Sequence, residues 1–254
     1  MATTTATPTT PTTPIPTSPT PTAAADPLRR TALAAGLLYL ATFAFSIPAL
    51  ALYDGVLNDA DFVLGAGPDD GVLWGGLIEV LTGLAGIGTA VVLYPVVRRH
   101  HRSAAAGFVA SRVLEAAMIF VGVVSVLAVF TLRQEVVGAG ADATAAVTTA
   151  QALVAVKDWT FLLGPGIMPA VSALCLATVL HRTGLVPRII PAIGLVGAPV
   201  LVASSVASLF GAYDQVSVPA MLAALPIATW ELSVGCWMLF KGFRTGSAAS
   251  TRAA

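Results

Sequence analysis

Six stretches of this chain run for more than twenty residues with at most two charged side chains each: 31–53, 72–97, 104–132, 159–180, 189–211 and 218–240. A helix needs about 20 apolar residues to cross the hydrocarbon core of a bilayer, and there it must satisfy its own backbone hydrogen bonds. The expected fold is therefore all-α, a polytopic membrane protein built as a bundle of six transmembrane helices. Composition agrees: 56% of the chain is hydrophobic and only 10% charged, against about 25% charged in a soluble domain. This excludes an ordinary soluble domain and a disordered protein. With 13 basic residues balanced by 13 acidic ones, no basic excess exists to meet phosphates, so no nucleic-acid partner is expected.

The placement of bases predicts the threading. With a cytoplasmic amino terminus, the inner segments hold Arg29, Arg30, Arg98, Arg99, Arg102, Arg182, Arg188, Lys241, Arg244 and Arg252, while the outer segments hold only Arg133 and Lys157. Ten against two is the bias expected of cytoplasmic loops. Both termini are thus expected in the cytoplasm, and the protein in the cytoplasmic (inner) membrane. The first outer loop is acidic, with Asp54, Asp59, Asp61, Asp69 and Asp70. The run Arg98-Arg99-His100-His101-Arg102 reads first as a topology anchor and second as a contact for anionic lipid head groups.

Residues 1–27 form a Thr/Pro-rich tail with almost no large apolar groups, expected to be disordered. Residues 28–244 form the six-helix domain and 245–254 a short cytoplasmic tail. The Ala/Thr-rich stretch 141–156 is either an outer interfacial helix or an extension of the fourth span. Cys175 and Cys236 lie in apolar runs and read as small core residues.

Four ionisable residues fall inside spans: Glu79, Arg112, Glu115 and Glu231. Each costs at least about 2.5 kcal/mol at mid-bilayer if it faces lipid, so all should face the bundle interior. Arg112 stands nine residues from Ser103, and Glu231 nine from Phe240. At a rise of about 1.5 Å per residue both lie about 13 Å from the same membrane face. Glu115, three residues after Arg112, shares its helix face. Arg112 is therefore expected to bridge Glu115 and Glu231, as a guanidinium fork can engage two carboxylates. Glu79 is left without an obvious base and is the carboxyl expected to carry a proton in a low-dielectric site. Lys157 and Asp158 are expected at the outer boundary, the lysine snorkelling to water.

Pro165, Pro169, Pro199 and Pro226 lie inside spans. Proline removes a helical donor and kinks the axis. The fourth span, with Gly164-Pro165-Gly166-Ile167-Met168-Pro169, is the one most expected to break. Gly75, Gly76, Gly83, Gly86 and Gly88 on the second span, and Gly194, Gly197, Ser204, Ser205 and Ser208 on the fifth, are expected to serve close helix packing.

No Walker A loop, HExxH, GxSxG or CxxC occurs. No catalytic residue, cofactor or metal site is assigned, and enzymatic activity is not supported. Several stretches do carry a family likeness: Gly36-Leu37-Leu38-Tyr39-Leu40, Arg112-Val113-Leu114-Glu115-Ala116, Asp158-Trp159-Thr160-Phe161-Leu162-Leu163-Gly164, Leu185-Val186-Pro187-Arg188, Gly194-Leu195-Val196-Gly197-Ala198-Pro199, Trp230-Glu231 and Lys241-Gly242-Phe243. In this combination the sequence resembles a bacterial multi-pass membrane family catalogued as domain of unknown function 4386. The resemblance implies a six-helix integral membrane protein and assigns no activity. The leading functional expectation is small-solute transport or ion-coupled sensing through the Glu79, Arg112, Glu115 and Glu231 cluster, with the bilayer and a small solute or proton as partners. The alternative is a non-catalytic assembly protein in which the cluster only fixes helix packing. A lipid-modifying enzyme would need a pocket open to the bilayer surface. A polar cavity reaching Glu231 favours the first reading, a dry and filled bundle the second.

Overall fold

The computed structural model describes residues 27–59, 61–65, 70–139 and 142–244. Among them are eight α-helices and one short 3₁₀ turn, and no strand: α1 (Pro27–Leu52), α2 (Asp54–Asn58), the 3₁₀ turn Phe62–Leu64, α3 (Asp70–His100), α4 (Arg102–Ala139), α5 (Ala143–Leu163), α6 (Met168–Thr183), α7 (Ile189–Leu209) and α8 (Val218–Phe240). Six helical stretches are long and apolar enough to cross a membrane, α5 and α6 counting together as Ala143–Thr183. The tail expected at 1–27 and the one at 245–254 lie outside the described residues, except that Pro27 already opens α1.

Six helices close a ring. In the order α1, α3, α4, α6, α7, α8 each packs on the next, and α8 returns to α1. The outward faces stay apolar: Val91, Val124, Val196 and Leu222 are each 60–66% exposed. Exposed apolar surface on this scale suits a hydrocarbon solvent, not water. The loop ends segregate by charge. Arg29 at the start of α1 donates to the carbonyls of Met238 and Leu239 at 3.1 and 2.9 Å, capping the last turn of α8. The Arg244 N–H donates to the Leu185 carbonyl in the α6–α7 turn at 2.9 Å. The α3–α4 turn with His100 and His101 lies beside Arg182 at the end of α6. One end of the bundle therefore gathers the basic loops, and Asp54, Asp158 and Asp214 gather at the other.

The ring is filled toward the basic end. Ala35 and Tyr39 of α1, Leu93 and Val97 of α3, Phe108 of α4, Leu176 and Leu180 of α6, and Val234 and Met238 of α8 form one buried core there. Close glycine contacts hold it. A Cβ at Gly36 would stand 2.6 Å from the Leu239 backbone nitrogen and 2.8 Å from the Gly235 carbonyl oxygen, so α1 and α8 touch backbone to backbone. Gly36→Ala is expected to lower stability by about 1–3 kcal/mol, the cost of overpacking where no side chain can give way. Thermal unfolding of the purified variant reads this, and an unchanged melting temperature would contradict the contact.

At the acidic end α4 and α5 run beyond the ring. The 38 residues of α4 span about 57 Å, nearly twice the hydrocarbon thickness. Val126 and Val129 of α4 and Ala146 and Ala150 of α5 form a second small core with Tyr53, Val56, Phe62, Val63 and Val72. Arg133 fastens it, its Nε–H donating to the Gly65 carbonyl at 3.0 Å and its guanidinium lying 4.2 Å from the Phe62 ring centre.

Of the stretch 141–156, the described residues from 142 on form an extension of the fourth span. Asp142 accepts from the Thr144 and Ala145 backbone N–H groups at 3.0 and 3.5 Å, capping a helix that runs on without interruption to Leu163. The fourth span then breaks between Leu163 and Met168. Pro165 and Pro169 cannot donate, and Gly166 N–H reaches back to the Phe161 carbonyl at 2.9 Å. Two prolines omitted from the sequence expectation, Pro48 and Pro95, also lie inside helices.

Candidate functional site

Above the filled core the ring opens into a chamber of about 370 Å³. Thr42, Ser46, Ile47 and Leu50 of α1 line it, with Glu79, Thr82 and Gly86 of α3, Arg112, Glu115 and Ile119 of α4, Phe161 of α5, and Glu231 of α8. Pro165 and Pro169 at the break in the fourth span close one side. All four ionisable residues expected within spans thus border one cavity.

Arg112 forms the floor. Its Nη1–H donates to Glu115 Oε2 at 3.0 Å, and its Nη2–H donates to Glu231 Oε1. The first pair follows from spacing along α4. The second is a strut, because α4 and α8 are not neighbours in the ring. The Tyr39 ring lies beneath the guanidinium, 5.4 Å from its carbon to the ring centre, a cation–π contact that faces the charge toward the dry core. Arg112 is 3% exposed, and the side chains of Glu115 and Glu231 are 14% and 12% exposed. The carboxylates, not the base, are what the chamber presents.

Glu79 departs from expectation. It has a base: Lys157 Nζ donates to both carboxylate oxygens at 2.6 Å. Lys157 is buried instead of snorkelling, and its ammonium lies 5.1 Å from the centre of the Tyr53 ring. The reason is the length of α5. A helix beginning at Ala143 carries Lys157 fourteen residues, about 21 Å, from its start. Gly122 on α4 makes the space: a Cβ there would stand 2.9 Å from Lys157 Cδ. Glu79 is therefore a paired carboxylate and not the lone one expected. The signal was present in the sequence as a lone lysine on an Ala/Thr-rich helix face, hidden by the placement of the span's start.

Beside the chamber toward the acidic end lies a vestibule of about 930 Å³. The two share Ile47, Leu50, Glu79 and Phe161 as walls. The vestibule adds Lys157 and Tyr53, and its rim carries Asp54, Asp158 and Asp214, all exposed. The Glu79–Lys157 pair therefore stands at the passage between the two spaces. The broken helix beside it is held by Ser205 of α7, whose hydroxyl donates to the Gly166 carbonyl at 2.7 Å.

Residues 34–242 match the family model described as Domain of unknown function (DUF4386). The chain belongs to this family. No curated protein and no solved structure matches it. The DUF4386 match takes in the first span from residue 34 on, the other five whole, and every residue of the chamber wall, so the chamber is built wholly from the family domain. Gly83 and Gly86 both border the chamber, but nothing lies within 4 Å of a Cβ built on Gly86. By contrast, a Cβ at Gly83 would stand 2.7 Å from the Phe120 ring, and one at Gly194 2.7 Å from the Trp230 ring.

Proposed function

We propose that this DUF4386 protein is a carrier for a small, mostly apolar solute bearing a positive charge, held here with its chamber facing the acidic side. One observation carries the reading: the membrane-buried carboxylates Glu79, Glu115 and Glu231 border a single chamber that adjoins an acid-rimmed vestibule. Lys157 compensates Glu79, but Arg112 serves both Glu115 and Glu231. With all three carboxylates ionised, one negative charge is in excess where the surroundings cannot solvate it, and a cationic solute or a proton neutralises it. Ile47, Leu50, Ile119 and Phe161 supply apolar contact for the rest of the ligand. A chamber of about 370 Å³ falls at the small end of ligand pockets, about 300–1,000 Å³.

The positive-inside bias supports a cytoplasmic basic end, with both termini there and the vestibule facing out. Solute then enters from outside past Asp54, Asp158 and Asp214, which raise the local concentration of cations. The filled core and the Arg29 cap on α8 close the opposite end. The break at Gly164–Ile167 gives the fourth span a joint about which α5 and α6 can move separately, as discontinuous helices do in several carriers.

Uptake of labelled tetraethylammonium into liposomes containing the purified protein tests this. Wild type is expected to exceed empty liposomes severalfold and Glu231→Gln to fall close to them, with benzoate not taken up by either. Thermal stabilisation by tetraethylammonium without uptake would replace transport by sensing. Neither stabilisation nor uptake with any charged or neutral probe would leave the cluster a packing device.

A further inference from the structure

The basic end carries a second cavity that the solute reading does not use. It is a groove of about 440 Å³ between the α3–α4 turn and α6. His100, His101 and Ser103 form one wall and Arg182 the other, and the groove continues along α6 to Leu174 and Cys175. His100, His101, Ser103 and Arg182 are exposed, and Leu174 is 44% exposed.

Among the described residues, basic charge at this end stands without acidic neighbours. The bases are Arg29, Arg30, Arg98, Arg99, Arg102, Arg182, Arg188, Lys241 and Arg244. The groove also meets the first turn of α4, whose Ala104 N–H is already taken by His101 Nδ1 at 3.0 Å. With its Nδ1 accepting, His101 has its other ring nitrogen left as a donor. An anion is the complement of this rim.

The depth of the groove says which anion. Leu174 lies eight residues before Arg182 on α6, about 12 Å farther into the bilayer. There the groove ends where Cys175 meets α4, a Cβ at Gly107 standing 2.8 Å from its Sγ. A free phosphate would fill the charged rim and leave the apolar part empty. A phospholipid fills both, its phosphate at Arg182, His100 and Ser103 and an acyl chain along Leu174. We propose that this groove is a binding site for an anionic phospholipid of the leaflet at the basic end, a site distinct from the solute chamber. Bases at this depth attract anionic head groups, at about 1 kcal/mol per residue near the surface.

The test uses purified full-length protein in detergent, titrated with phosphatidylglycerol, phosphatidylcholine of the same acyl chains, or inorganic phosphate. Bound lipid is counted by native mass spectrometry and stability read by thermal unfolding. Phosphatidylglycerol is expected to bind and stabilise the wild type, phosphatidylcholine and inorganic phosphate much less. Arg182→Gln is expected to weaken phosphatidylglycerol about fivefold, the fold-change equivalent to one base, and Arg182→Lys to retain most of it. Equal binding of the two lipids, equal stabilisation by inorganic phosphate, or an Arg182→Gln variant that keeps the wild-type preference would each overturn the proposal. Solute uptake enters none of these readouts, so the lipid site stands or falls separately from the carrier reading.

Discussion

Arg112→Leu is expected to destabilise the protein by about 3–5 kcal/mol, the usual cost of removing one partner from a buried ion pair. The substitution keeps an apolar side chain of fair size against Tyr39 but leaves Glu115 and Glu231 facing each other across the chamber floor without their shared guanidinium. The magnitude separates two causes. A hydrogen bond between membrane helices is worth about 0.6 kcal/mol on average, so a loss below about 1 kcal/mol would mean that only hydrogen bonds had been removed. A larger loss means uncompensated charge. The triple variant Arg112→Leu, Glu115→Gln, Glu231→Gln removes that charge and is expected to recover most of the lost stability. Thermal or denaturant unfolding in a fixed detergent measures both. A single Arg112→Leu variant as stable as the wild type would contradict the strut between α4 and α8.

The same residues show how far the sequence reaches. Glu115 follows Arg112 by three positions, so a helix brings them onto one face whatever else the chain does. Glu231 shares their level because it and Arg112 stand equally far from the same end of the bundle, which charge placement alone makes legible. The weak point of the fourth span is equally local, since prolines at 165 and 169 break the ladder in any environment. Lys157 is different. Its partner depends on where α5 begins, and the stretch before it is too rich in Ala and Thr to announce a span by hydropathy. Asp142 decides the start as a cap, and the helix begins at Ala143 in place of the expected 159, so the lysine falls inside the helix and not before it. The chamber is less legible still. Gly83 and Gly86 are alike in sequence, three positions apart on one helix, yet one receives the Phe120 ring and the other faces open space. A void belongs to how six helices fail to fill the room between them, and no single stretch of chain encodes it.

That contrast gives the sharpest functional expectation. Gly86→Leu is expected to fold normally and to abolish tetraethylammonium uptake, cutting it at least tenfold. A Cβ at Gly86 meets nothing within 4 Å, its backbone is not among those with positive φ, and the chamber that Gly86 lines offers room for the rest of a leucine. Replacing glycine within a helix also favours the helix, by about 0.8–1.0 kcal/mol at most. Stability should therefore hold or rise slightly while the side chain projects into a chamber of about 370 Å³ shared with Glu79, Glu115 and Glu231. The two readouts pull apart only if the space itself has a use. If the buried charges serve packing alone, filling the void should improve the protein and cost it nothing. Uptake by Gly86→Leu equal to wild type, in protein of normal melting temperature, would place the solute path elsewhere than this chamber.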